Sequence, residues 1–527
     1  MSGAIALPGR RRRRPSIDGL PLLATVVALA GTLAILAIAL GWRGSDLPAQ
    51  VFRAELIRRD GYVIWNSQWF GGHALLGYSV IAPWLSAFTG PLALGAVSGV
   101  VAALAFERIL RFSFGPAAAV GAVWFAFGTV TNLIVGRTTF AFGIALGLLA
   151  IWALQRRHGI VAGVAALLCS LASPLAGAFL AIAAAAVFFA QPDRRRSAVI
   201  VGVSALAPIA VTALLFPTSG HEPYALWALI WDLCLASIIA VAGWRYVVIR
   251  WGAVIFGIAA VACFLVPTAV GGNISRFGQY VGGPILACVL FPRRRLLLAA
   301  LAIPLLIWQW FPAVDGIAFA HDDPSTHSSY YTAVVAYLDA QRGPIGRVEI
   351  PSTYRHWEAA YAAPKLLLAR GWERQLDIAY NPIFYSEPLT AASYQQWLRE
   401  NGVAFVALPD ARLDSSSQAE RALLLHGVPY LQPVWHNAHW RVWRVEGFNG
   451  LVDGGASVRE MEPDRVTLDV RTPGDLTLRV RSTSHWAVSG GGCATSTDDG
   501  WTELRNLPAG TVTITQSLIG TSCPKSG

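Results

Sequence analysis

Residues 20–311 are built from long apolar stretches separated by short polar gaps, and arginines mark every second gap. A helix needs about 20 apolar residues to cross a ~30 Å hydrocarbon core. The pattern therefore predicts about eleven transmembrane helices, over 20–42, 79–106, 116–135, 138–154, 160–173, 175–190, 197–216, 225–243, 251–270, 280–291 and 296–311. The arginine-bearing gaps hold residues 10–14, then Arg108 and Arg111, Arg156 and Arg157, residues 194–196, Arg245 and Arg250, and residues 293–295. Placing these in the cytoplasm puts the N-terminus inside and everything after the last span outside. The run 160–190 has basic residues at both ends, so it must turn back at Ser173-Pro174 as two short helices. The span at 280–291 is also short, and its helix is expected to start nearer Arg276. Leu20 to Trp42 reads as an uncleaved first span, being long for a secretory apolar region and without a small-residue cleavage site.

After 311 the pattern changes. Residues 312–345 read as a connector with a helix over 330–341. Residues 346–447 alternate short strands (347–351, 403–408, 440–445) with helices (359–370, 390–401, 417–425), which predicts a small extracytoplasmic α/β module. From 448 to 527 only strand patterns remain, at 457–458, 466–470, 476–480, 486–488 and 511–516, and a β-sandwich is expected. The fold class is thus a polytopic α-helical membrane protein, N-in and C-out, with a basic tail at 1–19, a membrane domain at 20–311 and a large first outside loop at 43–78.

Composition narrows the function. The chain is 54% hydrophobic and only 14% charged, against roughly 25% charged in soluble domains. Its net charge of +10 is explained by loop-end arginines, so nucleic acid is not an expected partner. Cys169, Cys234, Cys263 and Cys288 lie in apolar spans, whereas Cys493 and Cys523 lie in the outside β module, where a disulfide is expected. The chain has no GxSxG, P-loop or dinucleotide fingerprint, which argues against a hydrolase, an ATPase or a nucleotide-sugar enzyme.

Candidate chemistry gathers in the first outside loop. Asp46 follows the first span closely; the plainer reading is a solvated acid capping the next helix. Residues 49–60 can form an amphipathic helix, with Phe52, Leu56 and Ile57 toward lipid or core and Arg53, Glu55, Arg58 and Arg59 more exposed. Trp65, Asn66, Gln68, Trp69 and His73 then supply aromatic faces and amides suited to a sugar, although an interfacial aromatic belt accounts for the tryptophans alone.

On these features the chain resembles the GT-C class of integral-membrane glycosyltransferases, with C-terminal modules similar to those of actinobacterial cell-wall arabinosyl- and mannosyltransferases. The likeness covers the whole layout but reaches motif-like detail only in residues 43–78. It implies a polyprenyl-phosphate sugar donor, a glycan or glycolipid acceptor outside a bacterial plasma membrane, and Asp46 as general base or metal ligand. Many members carry paired acids where Asp46 stands alone, with Asp60 the nearest other acid beyond the helix, which puts a divalent metal (magnesium or manganese) in doubt.

A departing phosphate needs cations. Arg53, Arg58, Arg59, Arg137 and Arg276 are the candidates because they lie outside against the positive-inside rule. Arg137 is the most informative, since its turn is nearly all apolar and an ionic group there needs a partner. His221 and Glu222 join the site candidates from another short outside loop. Asp232 is an intramembrane carboxylate with no basic residue at its depth. His321, Asp322, Asp323 and His327 have metal-ligand types, but a solvated linker is the plainer reading. The Trp-rich segments 355–358 and 370–374 either contact an acceptor or dock the module onto the membrane body. Two rivals stay open: a transporter or flippase of lipid-linked sugars, and a non-catalytic scaffold for envelope assembly.

Overall fold

The computed structural model describes residues 20–217, 220–318, 322–386 and 388–523. Each long apolar stretch folds as a helix, the one local structure that satisfies its own backbone polar groups away from water. In chain order these are α1 (Leu20–Ala39), the loop helices α2 (Leu47–Asp60) and α3 (Ala82–Thr89), α4 (Pro91–Phe114), α5 (Ala118–Val135) and α6 (Thr138–Gln155). They continue with α7 (Gly159–Ala172), α8 (Pro174–Ala190), α9 (Arg195–Leu215), α10 (Leu226–Ala242), α11 (Val247–Leu265), α12 (Ser275–Leu290) and α13 (Arg295–Ala318).

Among the described residues, six segments are long and apolar enough to cross a membrane: 21–39, 91–135, 138–155, 192–215, 247–265 and 295–318. The helices α7, α8 and α10 are apolar but shorter. The chain is therefore helix-rich and membrane-suited, while eleven crossings is more than length and apolarity alone support. Segment 91–135 is itself two helices, folded back at Gly115 so that Gly99 lies against Thr129. The expected single span 79–106 is likewise two helices. Gly90, at φ +81°, ends α3, and Pro91, which needs no N–H partner, starts α4. At Ser173 the chain turns back as expected, and the Ser173 side chain caps α8.

The arginine-bearing turns gather at one end of the bundle. Arg157 pairs with Asp193 at 2.8 Å, Arg194 donates to the carbonyls of Leu154 and Gln155, and the Phe114 ring lies 4.8 Å from Tyr246. The first loop and both C-terminal modules lie at the opposite end.

The α/β module has a four-stranded sheet in the order β3-β4-β6-β5, with β3 (Arg347–Glu349) parallel to β4 (Val403–Pro409). The strands β5 (Leu431–His436) and β6 (Trp440–Val445) are antiparallel neighbours. Its helices are α14 (Ser328–Asp339), α15 (Glu358–Tyr361), α16 (Arg374–Tyr380), α17 (Ala391–Glu400) and α18 (Gln418–His426). Two expectations change here. The connector helix α14 is part of the module, with Tyr330, Tyr331, Val334 and Leu338 in its core. The expected helix 359–370 stops at Tyr361, because residues 367–369 run beside β3: Val348 N donates to Leu367 O at 2.8 Å and Ala369 N to Val348 O at 3.0 Å. An exchange with a strand competes with the helical ladder and wins.

The C-terminal region is a sandwich of two antiparallel sheets, β10-β13-β8-β7 and β11-β12-β9. Its strands are β7 (Ala456–Met461), β8 (Arg465–Val470), β9 (Gly474–Arg481), β10 (Trp486–Ser489), β11 (Cys493–Ser496), β12 (Trp501–Leu507) and β13 (Gly510–Gln516). Alternate side chains of both sheets, among them Leu468, Leu478, Leu504 and Ile514, meet in one core. Cys493 and Cys523 are joined by a disulfide.

The first loop ties these bodies together. Gly44 N and Asp46 N donate to the carbonyls of Ile134 and Val135 at 2.6 and 3.0 Å, and Val80 N to Leu171 O at 2.8 Å. Between them a short hairpin, β1 (Trp65–Asn66) with β2 (His73–Ala74), reaches both modules. Ser67 N donates to Pro463 O, Leu368 N to Gln68 O and Arg481 N to Gly71 O, all at 2.8–2.9 Å.

Candidate active site

The site is built where the first loop meets the outer ends of the helices. Asp46 stands at the N-terminus of α2, fixed by its backbone bond to Val135, and its side chain does not cap the helix. Its Oδ2 instead accepts from Arg137 Nε at 3.1 Å. Gly136 makes this approach possible: it holds φ +92°, and a Cβ there would overlap the Leu47 backbone nitrogen. Asp46 and Arg137 keep 27% and 19% of their side-chain surface, so the pair is reachable from solvent.

Two more predicted residues join it from other loops. Glu222 is placed by its N–H on Thr268 O at 3.0 Å and by close approach of Gly271. Burial pushes its carboxyl above the usual range, against the pull of Arg276, Arg374 and Arg137; Asp46 adds to the upward push. Arg276 sits in the first turn of α12, within electrostatic reach of Arg137, Asp46, Tyr78 and Glu222. Arg137, Arg276, Asn132, Gln279, Tyr280 and Gln309 line a water-sized cavity of about 20 Å³. Asp46, Arg137, Glu222 and Arg276 thus converge from four separate positions in the chain. His221 is exposed beside Glu222.

Sequence reasoning flagged Asp232 without a partner; the structure supplies two. Its buried Oδ2 accepts from Tyr224 and Ser275 hydroxyls, both at 2.5 Å. Because Ser275 precedes Arg276, this carboxylate braces the turn that aims the arginine.

The remaining loop candidates are placed differently from expectation. Arg53 is buried, 2% exposed, because the α/β module covers that face of α2. Its Nη2 pairs with Glu373 at 2.6 Å and its guanidinium lies 3.9 Å from the Tyr78 ring centre, while Gln50 Nε2 donates to the Tyr78 hydroxyl at 2.7 Å. Nothing in the sequence marked Gln50, Tyr78 and Glu373 as one cluster, since Glu373 lies far along the chain from the other two. Arg58 pairs with Glu55 and with Ala87 O, and Arg59 with Asp60, Gln68 and Pro364 O, so both are engaged in packing within the loop region or, through Pro364, against the α/β module.

The expected sugar platform is interior. Trp65 belongs to the sandwich core, edge-on to Trp486. Asn66 Oδ1 accepts from Gln68 N, Gln68 Nε2 donates to Ala363 O at 2.7 Å, and Trp69 stacks between Phe52 and His73. All five side chains are buried. They join the loop to both modules and leave no face for a ligand. Burial, with the nearby Arg53 charge, pushes His73 down to about 3.

On the module side, Arg374 reaches Asp414 with both Nη atoms at 3.1 and 2.9 Å. Burial raises the Asp414 carboxyl, but His356 and Arg374 more than offset it and hold it well below its usual range. His356 stacks on Trp372 with ring centres 3.2 Å apart. Arg355 docks the module, donating to Arg43 O at 2.9 Å and Asp315 O at 2.6 Å, at the outer ends of α1 and α13. The docking reading of segment 355–358 is therefore the one realised.

The carboxylates of the site are Asp46, already paired with a guanidinium, and Glu222; no group of three or more His, Cys, Asp or Glu side chains forms among the described residues. Of the suspected connector cluster, His321 lies outside the described residues, and Asp323 caps the turn at Ser325.

No protein-family profile matches the chain, and no curated protein does. Two solved structures are similar in arrangement. One is the oligosaccharyltransferase of Archaeoglobus fulgidus, in complex with zinc and sulfate, at 15% identity and TM-score 0.43, covering 74% of this chain and 68% of that one. The other is the arabinosyltransferase EmbB of Mycobacterium smegmatis, at 12% identity and TM-score 0.40, covering 97% of this chain and 64% of that one.

Proposed function

We propose that this protein is a membrane glycosyltransferase that moves a sugar from a polyprenyl-phosphate donor to an extracytoplasmic glycan or glycolipid in envelope biosynthesis. The observation that carries the reading is the meeting of a partly exposed carboxylate, Asp46, with Arg137 and Arg276 at the outer mouth of an apolar bundle. Asp46 takes the proton of the acceptor hydroxyl as the new C–O bond forms. The bond between the sugar and the phosphate oxygen breaks, and the polyprenyl phosphate leaves as an anion stabilised by Arg137 and Arg276. Arg137 also holds the Asp46 carboxylate in position to take that proton. Burial pushes the Glu222 carboxyl up, which weakens its hold on Arg276 and favours pairing of that arginine with phosphate.

The test is transfer of labelled sugar from a panel of polyprenyl-phosphate donors by purified protein, beside Asp46→Asn. The variant is expected to lose about 10²–10⁴-fold in turnover, the usual worth of a general base, while retaining donor binding. Lipid crossing into proteoliposomes without any product would establish transport instead.

A further inference from the structure

Beneath Tyr280, on the side away from the loops, the bundle encloses a second and much larger cavity of about 610 Å³. Its walls are apolar side chains such as Ile144, Leu148, Leu180, Val187, Phe256 and Ile285. Polar side chains gather at one end: Ser113, Gln155, Gln191, Arg194 and Tyr246. Along α8 the lining runs from Ala176 to Gln191, about 22 Å at 1.5 Å per residue, more than half of a ~30 Å hydrocarbon core. Phe277 and Tyr280 close the far end, and Tyr280 also lines the small cavity at Arg276.

The polarity of this slot is its informative feature. Its polar lining lies at the arginine-bearing end of the bundle, opposite Asp46. Arg194 is fixed there by the carbonyls of Leu154 and Gln155, and Gln155 Nε2 donates to Ser113 Oγ at 3.2 Å. Further arginines lie in the same turns: Arg157 pairs with Asp193, and Arg195 lies over the Phe188 ring. A basic pocket between membrane helices on the arginine-rich side selects anionic headgroups, and a long apolar slot behind it suits one hydrocarbon chain.

We propose that this cavity binds an anionic phospholipid of the cytoplasmic leaflet, its headgroup at the Arg194 mouth and an acyl chain running up to Tyr280. The site is separate from the one assigned to the donor, whose phosphate belongs at Arg137 and Arg276 at the other end. The proposal rests on the bundle lying in a membrane and not on glycosyl transfer. A chain held there packs against Phe277 and Tyr280 and so supports the helix turn that carries Arg276.

Native mass spectrometry of the full-length protein in detergent tests it, with phosphatidylglycerol, phosphatidylcholine and a polyprenyl phosphate as probes. One phosphatidylglycerol should be retained, at least tenfold more than phosphatidylcholine. Ala183→Phe, which fills the slot, should cut that retention at least tenfold. Arg194→Gln, which leaves the slot open, should erase the preference between the two headgroups. Equal retention of both phospholipids by the wild type, or undiminished phosphatidylglycerol on Ala183→Phe, overturns the proposal. Displacement of phosphatidylglycerol by equimolar polyprenyl phosphate also overturns it, by giving the cavity to the donor's tail. None of these outcomes bears on whether labelled sugar is transferred.

Discussion

Glu373 and Arg53 are held together at 2.6 Å where the α/β module covers the first loop, with 17% and 3% of their side chains exposed. Removing one partner of a buried pair strands the other charge, so Glu373→Gln is expected to cost about 3–5 kcal/mol, read as a lower unfolding midpoint in detergent. His73 gives a second prediction, with a definite sign. Above its ordinary value near 6.5 the ring is neutral in both folded and unfolded chains, and pH has no effect through it. As pH falls below 6.5 the unfolded chain gains a proton that the folded one refuses until about 3. Stability should therefore drop by about 1.4 kcal/mol per pH unit across that window. Unfolding midpoints between pH 7 and 4.5 should fall more steeply for the wild type than for His73→Gln; parallel slopes would show that His73 is not the group responsible. At this scale the sequence is informative where a charge stands in apolar text: Arg137 and Asp232 each demanded partners, and Arg137 has Asp46 while Asp232 has Tyr224 and Ser275. It misleads where one composition serves two ends. The Trp and amide side chains of 65–73 suit a sugar groove and an interdomain seam equally, and only burial separates the two.

Helices were legible from the sequence because the signal for them is local: runs of apolar residues, broken by Gly-Pro or Ser-Pro, place α5 to α11 within a few residues. Elements whose hydrogen bonds come from far along the chain were not. The β12 strand draws on β9 as well as on its hairpin neighbour β11, and the extended segment 367–369 draws on β3, partners that no short window of sequence reveals. The same distinction governs what a glycine does at an element's end. Gly90 and Gly136 both hold positive φ at helix boundaries, +81° and +92°. Around Gly90 nothing lies within contact of an added Cβ, so Gly90→Ala meets only backbone strain, on the order of 1 kcal/mol. At Gly136 the Cβ would also strike the Leu47 backbone, one residue beyond Asp46. Gly136→Ala must therefore push the α5–α6 turn, with Arg137, away from Asp46. The expected outcome is unchanged helical circular dichroism for both variants, with transfer activity reduced at least tenfold in Gly136→Ala alone, the scale that misplacing a reacting group commands.

For the whole molecule the question is what makes one working body of a bundle, a module and a sandwich. Arg347 lies at the seam. It is 1% exposed, starts β3, and donates through Nη1 to Asn401 O at 2.6 Å and through Nη2 to Arg479 O in the sandwich. Its guanidinium lies 5.5 Å from the Trp501 ring centre, and Gly71 of the first loop approaches both side chains so closely that any Cβ would displace them. One side chain thus touches the module, the sandwich and the loop that carries Asp46. Arg347→Met keeps much of the apolar stem but removes donors from two buried carbonyls, each worth ~1–3 kcal/mol when left unpaired. The sandwich has its own core and disulfide, so it should stay folded and merely loosen from the seam. Limited proteolysis should then cut the 448–456 connection faster in the variant, while the sandwich fragment remains resistant until it is reduced. Sugar transfer should fall in parallel, because loop 43–78 loses its outer support. Faster cleavage with undiminished transfer would mean that the bundle alone holds Asp46 in place through Ile134 and Val135, and that the sandwich serves the acceptor rather than the site.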